Sequence, residues 1–199
     1  MSGLALDTGN KRAALSMRKD DLYQSPPQAV KALLAVEAVP MRVWEPACGP
    51  GSIVKVLRES GRDVLATDLV NYATPYQDNA GIDFLFHGIG GNLDSRGRAI
   101  VTNPPYKNAA EFVARALDVS PYVAMLLRLA FLESEGRRSI IDNSCLARVH
   151  VFRKRLPMMH REGWEGPKTS SSMAFAWFIW DTSHRGATEL RRVSWEEFA

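Results

Sequence analysis

The chain has 199 residues, of which 46% are hydrophobic and 24% charged, which suits one globular domain with a sizeable core. No apolar run approaches the roughly 20 residues that span a bilayer, and the first residues, Met1 to Lys11, lack the apolar centre of a signal peptide, so a cytoplasmic protein is expected. The two cysteines, Cys48 and Cys145, form no CxxC pair, which argues against a zinc site or a disulfide framework, and a net charge of +3 with a pI near 9.0 is compatible with a polyanionic partner.

Residues 1 to 20 are polar and mixed, and read as a mobile arm or a short helix ahead of one domain over 21–199. Tyr23-Gln24-Ser25-Pro26-Pro27 precedes a helix predicted over Gln28 to Val39 from the spacing of Val30, Leu33 and Leu34. Pro40 stops it. Met41 to Trp44 reads as a short buried strand. The turn Cys48-Gly49-Pro50-Gly51 then leads into a helix over Ser52 to Ser60 with Ile53, Val56 and Leu57 on one face, closed by Gly61. Val64 to Thr67 is the next strand, ending at Asp68. Short strands are predicted at Asp83 to Phe86 and at Ala99 to Thr102. A helix follows over Ala109 to Leu117, then an apolar strand over Tyr122 to Leu127. Ala130 to Ile141 should be helical in part, and Val149 to Phe152 extended. Residues 153–172 form a basic loop. Met173 to Trp180 reads as a central strand, and the tail from Ala187 to Phe198 could add an edge strand.

Strands alternating with helices imply an α/β sheet with helices on both faces. Right-handed crossovers bring successive strand exits to one rim, the rim where open α/β sheets bind ligands. Two unusual strings lie at such exits, Glu45-Pro46-Ala47-Cys48-Gly49-Pro50-Gly51 and Asn103-Pro104-Pro105-Tyr106. Gly49 and Gly51 let the backbone approach a ligand closely. Asp68 stands about where an acid meets ribose hydroxyls in dinucleotide folds. The third glycine of a pyrophosphate cradle is absent, however, and Glu45 would repel phosphate while attracting an amine or a sulfonium. This favours S-adenosylmethionine.

Methylating an exocyclic amine requires acceptors for its N–H groups, because the nitrogen lone pair is delocalised into the ring. The Asn103 side-chain oxygen and the Pro104 carbonyl can be those acceptors. Pro104 and Pro105 stiffen the loop, and Tyr106 offers a flat face for a base. The task is one of positioning, without a metal. In the basic loop, Arg153, Lys154 and Arg155 supply cations for phosphates, and Trp164 or Phe152 an aromatic wedge for an extruded base. A solvated loop with a few buried anchors is the competing reading.

On these motifs the chain resembles the class I S-adenosylmethionine-dependent amino methyltransferases, in particular small phage- or prophage-type DNA adenine-N6 methyltransferases. The resemblance covers roughly residues 20 to 180. It implies a Rossmann-like fold with a mostly parallel seven-stranded sheet. It implies cofactor binding by Tyr23, Glu45, Ala47, Cys48, Gly49, Gly51, Asp68, Asp83 and Asn103, catalysis by Asn103, Pro104, Pro105 and Tyr106, and substrate contacts from Tyr106, Lys107, Arg153, Lys154, Arg155 and Trp164. DNA is favoured over RNA. Fewer than a hundred residues follow the catalytic string, so recognition would be compact, supplied by a separate specificity partner or a homodimer, or poor in sequence specificity. The same motif also suits RNA adenine or protein glutamine methylation, and a catalytically inactive nucleic-acid-binding module is the remaining alternative.

Overall fold

The computed structural model describes residues 24–86, 93–157 and 173–199. The expected N-terminal arm, Tyr23 and most of the basic loop, including Trp164, lie outside these residues.

Eight strands form one sheet. They are β1 (Arg42–Glu45), β2 (Asp63–Asp68), β3 (Asn79–Ala80), β4 (Ala99–Thr102), β5 (Tyr122–Arg128), β6 (Leu146–Phe152), β7 (Phe175–Asp181) and β8 (Glu189–Val193). Their spatial order is β3-β2-β1-β4-β5-β7-β6-β8. Every pairing is parallel except those of β7, which runs antiparallel to both β5 and β6. The sheet is therefore mostly parallel, as the alternation of elements predicts, with one strand more than expected. The extra strand is β8, which the tail adds at the edge beside β6.

The helices among the described residues are α1 (Pro27–Val36), α2 (Ser52–Glu59), α3 (Ala109–Val119) and α4 (Arg138–Ile141). Residues on α1 and α2 pack with Phe175, Trp177 and Ile179 on one face of the sheet; Phe112 and Val113 of α3 and Ile140 of α4 pack with Phe178 and Trp180 on the other. The strict alternation along β7 divides its large side chains between the two cores. Each tryptophan indole also finds an acceptor: Trp177 donates to the Ala29 carbonyl and Trp180 to the Ile140 carbonyl, each at 2.8 Å. Of the run Met173 to Trp180, Phe175 to Trp180 is core, while Met173 lies exposed ahead of β7; no helix among the described residues is long and apolar enough to cross a membrane.

Three local expectations differ from the structure. The first helix ends at Val36, before the predicted Val39, because the buried Glu37 leaves the helix with extended backbone and its carboxylate binds Arg148 and His150. Asp83 to Phe86 forms a turn, not a strand: the Asp83 carboxylate accepts the Leu85 N–H at 3.0 Å and its carbonyl the Phe86 N–H at 3.2 Å, the local competition that aspartate offers to sheet pairing. The two-residue β3 pairs with β2 instead. Ala130 to Ile141 divides into two 3-10 turns, Leu129–Leu132 and Glu135–Arg137, and the single turn of α4.

Candidate active site

The C-terminal ends of β1, β2 and β4 open onto one cavity of about 350 Å³, within the range of small-molecule sites. β1 ends at Glu45 and passes into the Cys48–Gly51 turn. Gly49 and Gly51 both adopt positive φ, +53° and +99°, a conformation that side chains disfavour. Gly51 stands at the start of α2. A Cβ there would lie 2.1 Å from the Cβ of Tyr76, so the residue is fixed by space as well as by φ. The turn is anchored to β2 by the Cys48 N–H, which donates to the Thr67 carbonyl at 3.0 Å, and by the Gly49 N–H, which donates to Asp68 Oδ2 at 2.9 Å. The other carboxylate oxygen of Asp68 accepts the Val70 N–H at 2.9 Å. Asp68 is thereby held in place in the cavity wall.

Ala47, Cys48, Gly49, Asp68, Asp83, Asn103, Pro104, Pro105, Tyr106 and Lys107 all line this cavity. The turn after β1 and the Asn-Pro-Pro-Tyr string after β4 are distant in the sequence. They are brought together because β1 and β4 are hydrogen-bonded neighbours, with Val43 opposite Ala99 and Trp44 opposite Ile100.

Other residues named from the sequence stand elsewhere. Gly51 shapes the turn without reaching the cavity wall. Glu45 is fully buried behind that wall; its Oε1 accepts from Thr102 Oγ1 at 2.5 Å and from the Ala47 N–H at 3.2 Å, and its Oε2 has no hydrogen-bond partner among the described residues. Burial, reinforced by the nearby Asp68 charge, pushes the Glu45 carboxyl up to about 8 against the pull of its two hydrogen bonds. Burial thus favours the neutral carboxyl near pH 7, and Glu45, which is not part of the cavity lining, braces β1 against β4. Burial likewise pushes the Cys48 thiol well up, which makes it a packed residue and a poor nucleophile. Phe152, a candidate wedge, is buried in the core. Arg153, Lys154 and Arg155 are exposed beyond the end of β6 and outside the cavity lining; Lys154 pairs with Glu196 at 2.6 Å and its carbonyl accepts the Trp195 indole N–H.

Sequence reasoning missed several wall residues. Leu69 and Phe86 line the cavity while 62% and 85% exposed, beside Ile82 and the buried Phe84. The signal for Leu69 was its place directly after the β2 acid. Arg128, which is outside the cavity lining but in contact with Tyr106, was missed too. Its guanidinium carbon lies 4.4 Å from the centroid of the Tyr106 ring. The hint was a cation ending a strand otherwise wholly buried, Tyr122 to Leu127.

Among the described residues, the lining combines apolar surface, two carboxylates (Asp68 and Asp83) and a single cation, Lys107. That set suits a ligand with a flat apolar part, hydroxyl donors and positive charge, and is poor for a chain of phosphates. Among the described residues no group of three or more His, Cys, Asp or Glu is placed to hold a metal ion.

No protein-family model and no curated protein matches the sequence. Solved structures do match the fold. The modification subunit of a proposed type I restriction enzyme from Vibrio vulnificus aligns at 15% identity and a TM-score of 0.58, over 86% of this chain and 47% of that one. A proposed RNA methyltransferase from Pyrococcus horikoshii aligns at 14% identity and 0.56, over 79% and 84%. The methyltransferase subunit of a type I restriction-modification system from Streptococcus thermophilus aligns at 12% identity and 0.55, over 79% and 43%. The chain thus spans less than half the length of either restriction subunit. With the strand order above, these likenesses establish that the chain has the Rossmann-like class I methyltransferase fold.

Proposed function

We propose that the chain transfers a methyl group from S-adenosylmethionine to an exocyclic amino group, adenine N6 in DNA. The observation that carries this reading is the convergence of the Cys48-Gly49 turn and the Asn103–Tyr106 string on one cavity. Its two carboxylates and scarcity of cations favour a sulfonium- and ammonium-bearing ligand over a nucleotide phosphate. S-adenosylmethionine bound there would supply an electrophilic methyl group. Asp68 would accept from the ribose hydroxyls, and Leu69, Ile82 and Phe84 would face the adenine. Asp83 and the Ala47–Gly49 backbone complete that side of the wall.

At the reacting end, the Asn103 side-chain oxygen and the Pro104 carbonyl accept from the amine N–H groups and orient the nitrogen lone pair. Pro104 contributes no competing N–H. Pro105 is extended, with φ −54° and ψ 127°, and directs the chain into the short turn that presents Tyr106 and Lys107. The contribution is orientation in a preformed cavity. The target base must leave its duplex to reach these groups. The similarity of the fold to type I modification subunits supports DNA, and that to an RNA methyltransferase keeps RNA in the same test.

Methyl transfer from labelled S-adenosylmethionine is measured on duplex DNA, structured RNA and a protein lysate, for the wild-type chain and for Asn103→Ala. Label in DNA at adenine N6 is expected, with loss of about 100- to 1,000-fold in Asn103→Ala, the scale of losing one oriented hydrogen-bonding group in the transition state. Cofactor affinity by calorimetry should be nearly unchanged. An active Asn103→Ala chain refutes the mechanism, and label confined to RNA or protein refutes the substrate.

A further inference from the structure

The sheet order fixes the side from which the acceptor must approach. Along the rim, β2 and β1 carry Asp68 and the Cys48-Gly49 turn, β4 carries Asn103, and β5 and β7 follow beyond it. A methyl donor held over β1 and β2 offers its methyl toward Asn103, and in-line displacement requires the accepting nitrogen on the opposite side, over β5 and β7. Arg128 ends β5 there and Phe175 begins β7 directly across from it. The Tyr106 ring lies tilted against Phe175, with centroids 5.9 Å apart, and the Arg128 guanidinium lies over it at 4.4 Å.

The Arg128 side chain has no ion pair and no hydrogen-bond partner among the described residues, and its Nε is buried without an acceptor. A cation–π contact of this kind is weak, and a charge-assisted hydrogen bond to an anion is the stronger partner for a guanidinium. The arrangement is a planar cation resting on an aromatic face, beside the reacting end of the cavity, with no anion among the described residues to hold it.

Resting on the reading of the site as a DNA adenine methyltransferase, we propose that Arg128 occupies the place of the target base in the free protein and is exchanged for it. On entry of the base, the guanidinium leaves the Tyr106 ring and takes a phosphate of the DNA beside the extruded nucleotide. Arg128 is then a gate and a phosphate anchor at once. Release of the ring and capture of the phosphate are coupled, so the ring is uncovered when an anion arrives with the base.

The test uses the full chain and a duplex carrying one mismatched adenine, which lowers the cost of extrusion. Binding is measured across a range of salt concentrations for wild type, Arg128→Ala and Arg128→Lys, together with methyl transfer and affinity for S-adenosylmethionine. In Arg128→Ala the slope of log affinity against log salt should fall by about 0.9, the loss of one phosphate contact. KM for the duplex should rise about tenfold, the loss of one charge-assisted hydrogen bond, with cofactor affinity unchanged. Arg128→Lys keeps the cation and should keep the slope. A slope unchanged in Arg128→Ala, or a loss confined to kcat as for a mere prop under Tyr106, overturns the inference while the wild type still methylates DNA. A wild-type chain that transfers no methyl group to DNA removes the underlying reading and the inference with it.

Discussion

Glu45 ends β1 in full burial, and its chemistry can be tested by pH. Its folded value of about 8 lies above the ordinary 4.5, and desolvation is the largest cause. Between those two values the folded chain keeps a proton that the unfolded chain has released, so stability falls as pH rises. The contribution is fully present below pH 4.5 and is lost as pH climbs through 8. A glutamine at this position is neutral throughout and nearly the same shape. The stability of Glu45→Gln, measured by urea denaturation, should match that of wild type at pH 4 and exceed it at pH 8.5 by a few kcal/mol, since each tenfold difference in proton affinity between the folded and unfolded chains is worth roughly 1.4 kcal/mol. Parallel pH trends in the two proteins would remove the neutral, bracing role assigned to Glu45. An acid beside a Gly-rich turn reads as a ligand in the sequence, and only the fold reveals that its Oε1 accepts from Thr102 and the Ala47 N–H.

At the scale of elements, the turn and the helix it opens depend on Gly51. Alanine would meet a positive φ, costing about 1–2 kcal/mol, and a Cβ contact of 2.1 Å to Tyr76 that only backbone movement relieves, another ~1–3 kcal/mol. Gly51→Ala should therefore lose about 2–5 kcal/mol of stability and weaken S-adenosylmethionine binding, as read by urea denaturation and calorimetry. Full stability would show that the turn relaxes freely. Gly61 also adopts positive φ, but a Cβ there meets nothing, so alanine at that position carries only the φ cost of about 1–2 kcal/mol.

Elements with strong local patterns were legible. Ser52 to Ser60, with three apolar residues on one face, is a helix to within one residue, and the continuous apolar runs at Tyr122 and Phe175 are the central strands. Where a polar side chain competes for backbone, pattern failed: Asp83 turns a predicted strand into a turn, and Glu37 draws α1 to an early end. The Asn103–Tyr106 and Cys48-Gly49 strings were legible because each is local. Leu69, Phe86 and Arg128 were not, because their relation to the cavity is set by strand order and by no spacing in the sequence.

For the whole molecule, the sheet divides its labour between two rims. The C-terminal rim of the parallel strands carries the cavity. The opposite rim carries a buried ionic cluster that ties α1 to β5, β6 and β7. Glu37 accepts from Arg148 at 2.6 and 3.1 Å and from the Tyr122 hydroxyl at 3.2 Å, and its Oε1 lies 2.6 Å from His150 Nε2; Arg148 also reaches Asp181 at 3.2 Å. Burial alone would raise the Glu37 carboxyl, but the hydrogen bonds and charges of His150 and Arg148 outweigh it and hold the group below its ordinary 4.5. The stability it contributes is therefore present above pH 4.5 and lost as pH falls through the lowered value. Glu37→Ala would leave the Arg148 guanidinium with Asp181 alone and take its partner from the fully buried His150, a loss of about 3 kcal/mol at pH 7 that shrinks in acid. The rate per folded molecule, measured well below the melting temperature, should be unaltered, because none of these side chains lines the cavity between β1 and β4. Urea denaturation at pH 7 and pH 4 paired with kcat separates the two rims: a Glu37→Ala chain that is fully folded yet slow would mean that the ionic cluster reaches across the sheet to the chemistry.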